Sequence, residues 1–188
     1  MTSPTAQPHA RTAETAADEL RHSLSADDFK AVFRGHPGGV AVITADDGSG
    51  PVALTATSVS SVSADPPLLV FSISATSSAA PTITAASTVV VHLLDADDID
   101  LAKLGATRGV DRFADRDSWS RFTTGEPFFH GARAWVRCAV INRIDAGGST
   151  VIAAHALQSN VARDVDAGDA LVYHNRTWHR LGDHSRLD

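Results

Sequence analysis

A single cysteine, Cys138, leaves this chain without a disulfide framework or a cysteine-based zinc site, which fits a reducing compartment. It lies in an apolar run and reads as a small core residue. No run approaches the roughly 20 apolar residues that a membrane helix requires. The N-terminus has no positively charged head followed by an apolar core, so no secretion signal is expected and the expected setting is cytoplasmic. Basic clusters are also missing. With 16 Lys and Arg against 22 Asp and Glu, a net charge of -6, the chain offers no surface for a nucleic acid. The common catalytic signatures are absent: there is no GxSxG elbow, no GxxxxGK[ST] loop, no GxGxxG after a strand and no HExxH helix. The nine histidines are dispersed, and His92 and His155 fall in strands as core or barrel-lining groups, so no metal site is expected. Asp95, Asp97, Asp98 and Asp100 lack the glycine and terminal glutamate of a calcium loop and read as acids at a helix start.

What the chain does have is enough apolar residue, 43% of 188, to bury one core. Residues 1–24 read as an N-terminal arm, disordered through about Ala10 and marginally helical over Thr12 to Ser23. Residues 25–188 read as the folded domain. Ser25 is an N-cap with an acid three residues on, and Phe29, Val32 and Phe33 share the face of the helix it starts. Gly38 to Thr44 reads as a strand, Asp46 to Gly50 as its turn, and Thr88 to Leu94 as a further buried strand. Asp95 to Gly105 has the acids and the glycine stop of a helix. From Ala132 to Ile144 the pattern alternates, with Ala134, Val136, Cys138 and Val140 on one face and Arg133, Arg137 and Arg143 on the other. Gly147-Gly148 turns the chain into Thr150 to Gln158. A last hairpin, Asp169 to His174 and Thr177 to Leu181, bends at Asn175-Arg176. About eight strands with short helices between them predict a mainly β, antiparallel barrel, closed or nearly so.

The central stretch is Val52 to Ile73, VALTATSVSSVSADPPLLVFSI. Apolar strands flank Thr55, Thr57, Ser58, Ser60, Ser61 and Ser63, a hydroxyl density suited to an oxygen-rich ligand. Asp65-Pro66-Pro67 ends the polar run. By residue type alone the segment is equally a half-buried strand with a Ser and Thr solvent face. Ser74 to Ser78 is a second hydroxyl cluster, where Ser77 or Ser78 caps a short helix with Pro81 in its first turn. Such a helix start is either a phosphate seat or simply a capped helix. An Arg112-Phe113 loop and the aromatic hairpin of Tyr173, His174, Trp178 and His179 complete a set suited to a phosphate-bearing aromatic ligand.

Taken in order, Phe33, Gly39-Val-Ala-Val-Ile-Thr44, Leu54-Thr-Ala-Thr-Ser58, Ser61-Val-Ser-Ala-Asp-Pro-Pro67, Ser77-Ser78, Val91-His-Leu-Leu94, Asp111-Arg-Phe113 and Leu171-Val-Tyr-His174 resemble the flavin reductase family. These are the FMN-binding split-barrel reductases of two-component monooxygenases. The resemblance implies a homodimer of antiparallel six-stranded split β-barrels of Greek-key type with short flanking helices, binding flavin near the subunit interface. It assigns Thr55, Ala56, Thr57 and Ser58 to the isoalloxazine and ribityl side, and Ser60, Ser61, Ser77 and Ser78 to phosphate or ribityl contacts. Phe113 would lie beside the flavin. The implied activity is hydride transfer from NADH or NADPH to FMN or FAD, with the reduced flavin passed to a partner monooxygenase and no acid-base triad required. The chain departs from the family where Gly147-Gly148-Ser149-Thr150 replaces a Gly-Asp-His turn whose histidine lies near the nicotinamide. His174 and His179 are the candidates for that role. Ser78-Ala79-Ala80 also replaces a frequent Ser-x-Thr. The alternative implied by the altered turn is a flavin-binding module or carrier with little reductase activity.

Overall fold

The structure is a computed structural model that describes residues 23–161 and 169–187. The arm expected over residues 1–24 lies outside the described residues except for its last two. The described chain before Pro37 forms one unit and the chain from Pro37 onward another. The first unit is helix α1, Ala26–Arg34. Its start is as the sequence predicts: the Ser25 Oγ accepts the Asp28 backbone N–H at 3.1 Å, with Asp27 and Asp28 in the positive first turn. Phe29 and Phe33 stack at 4.7 Å on one face.

The second unit is built on one antiparallel sheet. Its strands are β2 (Ala41–Ala45), β3 (Val52–Ala56), β4 (Ser60–Ala64), β5 (Pro67–Ser74), β6 (Thr88–Leu93), β9 (Ala134–Ala146) and β10 (Ser149–Val161). They lie in the spatial order β3-β2-β6-β9-β10-β5-β4. A two-residue strand β1 (Gly38–Gly39) joins the hairpin β11 (Ala170–His174) and β12 (Thr177–Leu181), and β7 (Trp119–Arg121) pairs with β8 (Pro127–Phe129). Two helices pack on this frame: α2 (Ala80–Ala85) and α3 (Ile99–Ala106), the latter entered through a 3-10 turn at Ala96–Asp98.

The six strands from β3 round to β5 form the barrel wall, with no ladder between β3 and β5. That seam is crossed by a side chain. The Ser58 Oγ accepts the Ser72 N–H at 3.0 Å and donates to the Ser72 carbonyl at 3.1 Å. One hydroxyl thus satisfies both backbone groups of a β5 residue that would otherwise need a strand partner.

Inside, Ile43, Phe71, Ile83, Val89, Val91, Cys138 and Ile152 form the main core. A second core under α3 joins Val42, Phe113, Trp119, Phe129 and Leu171. Burial pushes the Cys138 thiol up to about 12, so it is an inert core group. His92 is the polar centre. It donates from Nδ1 to the Val42 carbonyl at 2.9 Å and accepts the Phe129 N–H at Nε2, 3.0 Å, which defines a neutral ring linking β2, β6 and β8. Glu126, 4% exposed, sits against Arg137 Nη2 at 2.7 Å. Burial would raise its carboxyl, but hydrogen bonds from Arg137, Thr124 and Thr88 outweigh it and hold it at about 2.

Three expectations need correction. The Gly38 to Thr44 strand breaks at Val40, whose N–H bonds the Leu171 carbonyl, so Gly38-Gly39 pairs with β11 and the rest with β3 and β6. The hydroxyl-rich bend is itself partly a strand: β4 folds back on β5 with a bulge at Val62. Arg143 does not share a face with Arg137. A bulge near Ile141 shifts the β9 register and turns Arg143 to the α2 side, where it donates to the Thr84 and Ala86 carbonyls, each at 2.6 Å. The last hairpin forms as expected, with Asn175 and Arg176 at φ 48 and 63, the left-handed pair of a tight two-residue turn.

Burial lowers the His92 imidazole from 6.5 to about 4. The unfolded chain therefore takes up a proton that the folded chain refuses. This stability term is intact above pH 6.5 and is lost as pH falls to about 4, by roughly 3 kcal/mol. Urea unfolding followed by Trp fluorescence at pH 7.5, 5.5 and 4.5 should show this slope. His92→Gln should be less stable at pH 7.5 but flatter between pH 6.5 and 4.5. The Glu126 contribution is lost lower, from pH 4.5 to about 2.

Candidate functional site

The seam between β3 and β5 opens into a cleft of ≈ 620 Å³, within the range of small-molecule sites. One wall is the end of β3, from Leu54 to Ser58. A second runs from Ser72 on β5 through the turn to Ser78, and a third is the end of α3 with its following loop, Gly105 to Arg112; Ser149, paired with Ser74 across β10 and β5, also lines the cleft.

Each wall is held by identifiable bonds. In the turn after β5 the Ser74 and Thr76 hydroxyls meet at 2.9 Å, and the Ser77 Oγ accepts the Ala79 N–H at 3.3 Å. The N-cap of α2 is Ala79 with no side-chain cap, rather than Ser77 or Ser78. The first helical N–H, of Ala80, bonds the Ser77 carbonyl at 3.1 Å, and Pro81 after it has no N–H to offer. On the third wall Arg112 donates from Nε to the Gly105 carbonyl at 3.2 Å and from Nη2 to the Thr107 carbonyl at 2.6 Å. It thereby satisfies carbonyls at the negative end of α3 and fixes the loop that carries Arg108.

Of the residues singled out in the sequence, Thr55, Ala56, Thr57, Ser58, Ser77 and Ser78 line this cleft together. Three of their hydroxyls are already engaged: Ser58 on Ser72, Thr55, which donates to the Ala102 carbonyl at 2.6 Å, and Ser77, which accepts the Ala79 N–H and keeps its own proton to donate. Ser60 and Ser61 lie on β4 opposite Val70 and Leu69, outside the lining. Phe113 is buried, stacked on Phe129 at 5.2 Å and edge-on to Trp119 at 4.9 Å. It borders a smaller cavity of ≈ 110 Å³ that shares Ser78 and Arg112 with the main cleft. His174 and His179 face each other at 5.5 Å on the β11–β12 hairpin and are not part of the lining.

Ser74 and Thr76 belong to the second hydroxyl cluster and Ser149 to the altered turn, and all three line the cleft; sequence reasoning missed Ser72, Ala106, Arg108 and Gly109, and read Gly105 only as a helix stop. Only the Thr107-Arg108-Gly109 run carried a local signal, an arginine between small turn residues just after a helix stop.

A phosphate-bearing planar ligand fits this donor set. Hydroxyls of Thr57, Ser77 and Ser78 and the exposed Arg108 guanidinium supply donors for oxygens, while Leu54, Ala56 and Ile73 supply apolar surface for a ring. The lining contains no His, Asp, Glu, Lys or Cys, and among the described residues no cluster of His, Cys, Asp and Glu is placed to hold a metal.

Comparison with known proteins agrees with this geometry. The family model described as flavin reductase like domain matches residues 33–182. An NADH:FMN oxidoreductase of Rhodococcus erythropolis is 40% identical over 166 residues, covering 88% of this chain and 86% of its own. The crystal structure of a flavin reductase domain protein from Arthrobacter sp. FB24 superposes with a TM-score of 0.79 at 31% identity, over 86% of this chain and 97% of that one. BorF, the flavin reductase component of a bacterial two-component tryptophan halogenase, gives a TM-score of 0.74 at 31% identity, over 85% and 99%. By its sequence and its split antiparallel barrel, the chain belongs to the flavin reductase like domain family.

Proposed function

We propose that the protein is an NAD(P)H-dependent flavin reductase: it takes a hydride from NADH or NADPH onto FMN or FAD and releases the reduced flavin to a separate monooxygenase. The observation that carries this reading is the hydroxyl- and arginine-lined cleft at the seam of a flavin reductase fold. The activity of the Rhodococcus relative, an NADH:FMN oxidoreductase, supports the choice of reactants. The role of BorF as a reductase component supports delivery to a partner.

A bound flavin supplies the hydride acceptor. The chain's own task is binding and orientation. Thr57, Ser77, Ser78 and Arg108 hold the ribityl and phosphate oxygens, and Leu54, Ala56 and Ile73 give the ring a flat apolar support. Nothing in the lining needs to accept or donate a proton for the hydride to move. A second reading, a flavin-binding module with little reductase activity, is favoured by Ser149. That residue lines the cleft and stands in the turn where the resemblance implies a histidine.

We also propose that the protein works as a homodimer in the cytoplasm. The face of β5 and β10 turned away from the core carries Leu68, Val70, Val151 and Ala153. Ile144 of β9, 54% exposed, lies beside Val151 on the same face. A sheet apolar on both faces needs a cover. Among the described residues no helix is long and apolar enough to cross a membrane.

Three measurements test these readings. Anaerobic NADH or NADPH added to protein with excess FMN or FAD should bleach the flavin band catalytically. Ser78→Trp, filling the cleft from an exposed turn, should weaken flavin affinity more than tenfold with an unchanged melting temperature. Tight binding without bleaching would instead establish the binding module. Sedimentation should give a dimer of the 19.7 kDa chain, and Val70→Arg should give a monomer; a wild-type monomer would remove the dimer reading.

A further inference from the structure

Helix α3 forms a wall of the cleft, and the sequence gives no reason why it should lie as near β3 as it does. Two observations explain the approach. Gly105, buried in the last turn of α3, has no room for a side chain. A Cβ there would be driven into the Thr55 Oγ1 and would stand 3.1 Å from the Thr55 backbone N and 3.3 Å from the Leu54 carbonyl carbon. One turn earlier, the same Thr55 hydroxyl donates to the Ala102 carbonyl at 2.6 Å. The helix is therefore drawn onto the strand by a hydrogen bond and admitted by a missing side chain.

The contact reaches the ligand wall in one further step. The Gly105 carbonyl receives Arg112 Nε at 3.2 Å, and Arg112 also holds the Thr107 carbonyl at 2.6 Å. The loop bearing Arg108 and Gly109 is thus referenced to β3 through Gly105.

We propose that Thr55 and Gly105 are a positioning pair that sets the width of the cleft and the placement of the Arg108–Arg112 loop, and that the Thr55 hydroxyl does not bind flavin. This rests on the flavin reading above and deepens it. Thr55 falls within the hydroxyl-rich segment and lines the cleft, so by position alone it passes for a ligand. Its Oγ1 proton, however, is committed to Ala102.

The two roles differ in a double-variant cycle: a positioning pair gives a rescue in the double variant, a ligand gives additive losses. FMN affinity is read by quenching of flavin fluorescence in wild type, Gly105→Ala, Thr55→Ala and the double variant. Gly105→Ala should weaken binding about tenfold or more by overpacking the helix against the strand. Thr55→Ala alone should weaken it about fivefold, the scale of one hydrogen bond, and should raise the KM for FMN while leaving kcat at saturating FMN unchanged. In the double variant the missing Oγ1 removes the severest clash and leaves only the tight backbone approaches to Thr55 and Leu54, so it should bind FMN more tightly than Gly105→Ala. A double variant weaker than either single one, with the losses additive, would show that the hydroxyl is a ligand and overturn the proposal.

Should Gly105→Ala fail to fold, hydrogen exchange of the α3 amides in Thr55→Ala decides. Faster exchange together with weaker binding supports positioning, whereas weaker binding with unchanged exchange overturns it. A wild-type protein that binds neither FMN nor FAD removes the flavin reading itself, and this proposal with it, before any variant is compared.

Discussion

The structure depends on a seam that is neither sealed nor free. Six antiparallel strands carry the barrel wall from β3 round to β5, and a full ladder between those two would leave no opening beside them. An unpaired seam would expose backbone donors and acceptors on both strands. The Ser58 hydroxyl resolves the conflict by bonding both backbone groups of Ser72 while the strands part around it. The cleft is the space that results: residues next to the clip on each strand form two of its walls, and the end of α3 forms the third.

The rest of the interior keeps that seam in place by satisfying polar groups rather than by excluding them. His92 holds β2, β6 and β8 through two backbone bonds, and Glu126 and Arg137 neutralise each other under Thr124 and Thr88. Arg143 covers the end carbonyls of α2, as Arg112 does for α3. The buried His92 and the Glu126–Arg137 pair would each be costly alone; with every partner present they specify one arrangement of strands. The two arginine caps matter most for the site, because α2 follows the hydroxyl-rich wall and α3 carries the cationic one.

Much of this was legible beforehand, for physical reasons that differ by element. Alternation and turn chemistry located β9, β10 and the β11–β12 hairpin, since period-two burial and a left-handed Asn175-Arg176 turn are local properties. The hydroxyl cluster at Thr55 to Ser58 pointed to the cleft because a density of small donors is visible without a fold. Registers were not legible. A single bulge near Ile141 moved Arg143 to the other side of the sheet, and nothing in the alternation from Ala132 to Ile144 marks where the extra residue falls. The α3 wall was equally hidden: Gly105 reads as a helix stop, and only three-dimensional packing shows that it is also the point of contact with Thr55.

That difference bears on how hydroxyl-rich segments are interpreted. Ser and Thr side chains along Val52 to Ile73 look interchangeable in sequence, yet the fold gives them separate tasks. Ser58 closes the sheet, Thr55 holds a helix, Ser60 and Ser61 ride an outer strand opposite Val70 and Leu69, and Thr57 is left in the cleft. A hydroxyl is small enough to be spent on the protein's own backbone, and wherever an orphan carbonyl or N–H lies within reach that use competes with ligand binding. The residues that remain for a ligand are those whose local backbone needs are already met. In this chain these are Thr57 and Ser78, with Arg108 and the Ser77 proton left over after its oxygen takes the Ala79 N–H, a smaller and more cationic set than the density of Ser and Thr suggests.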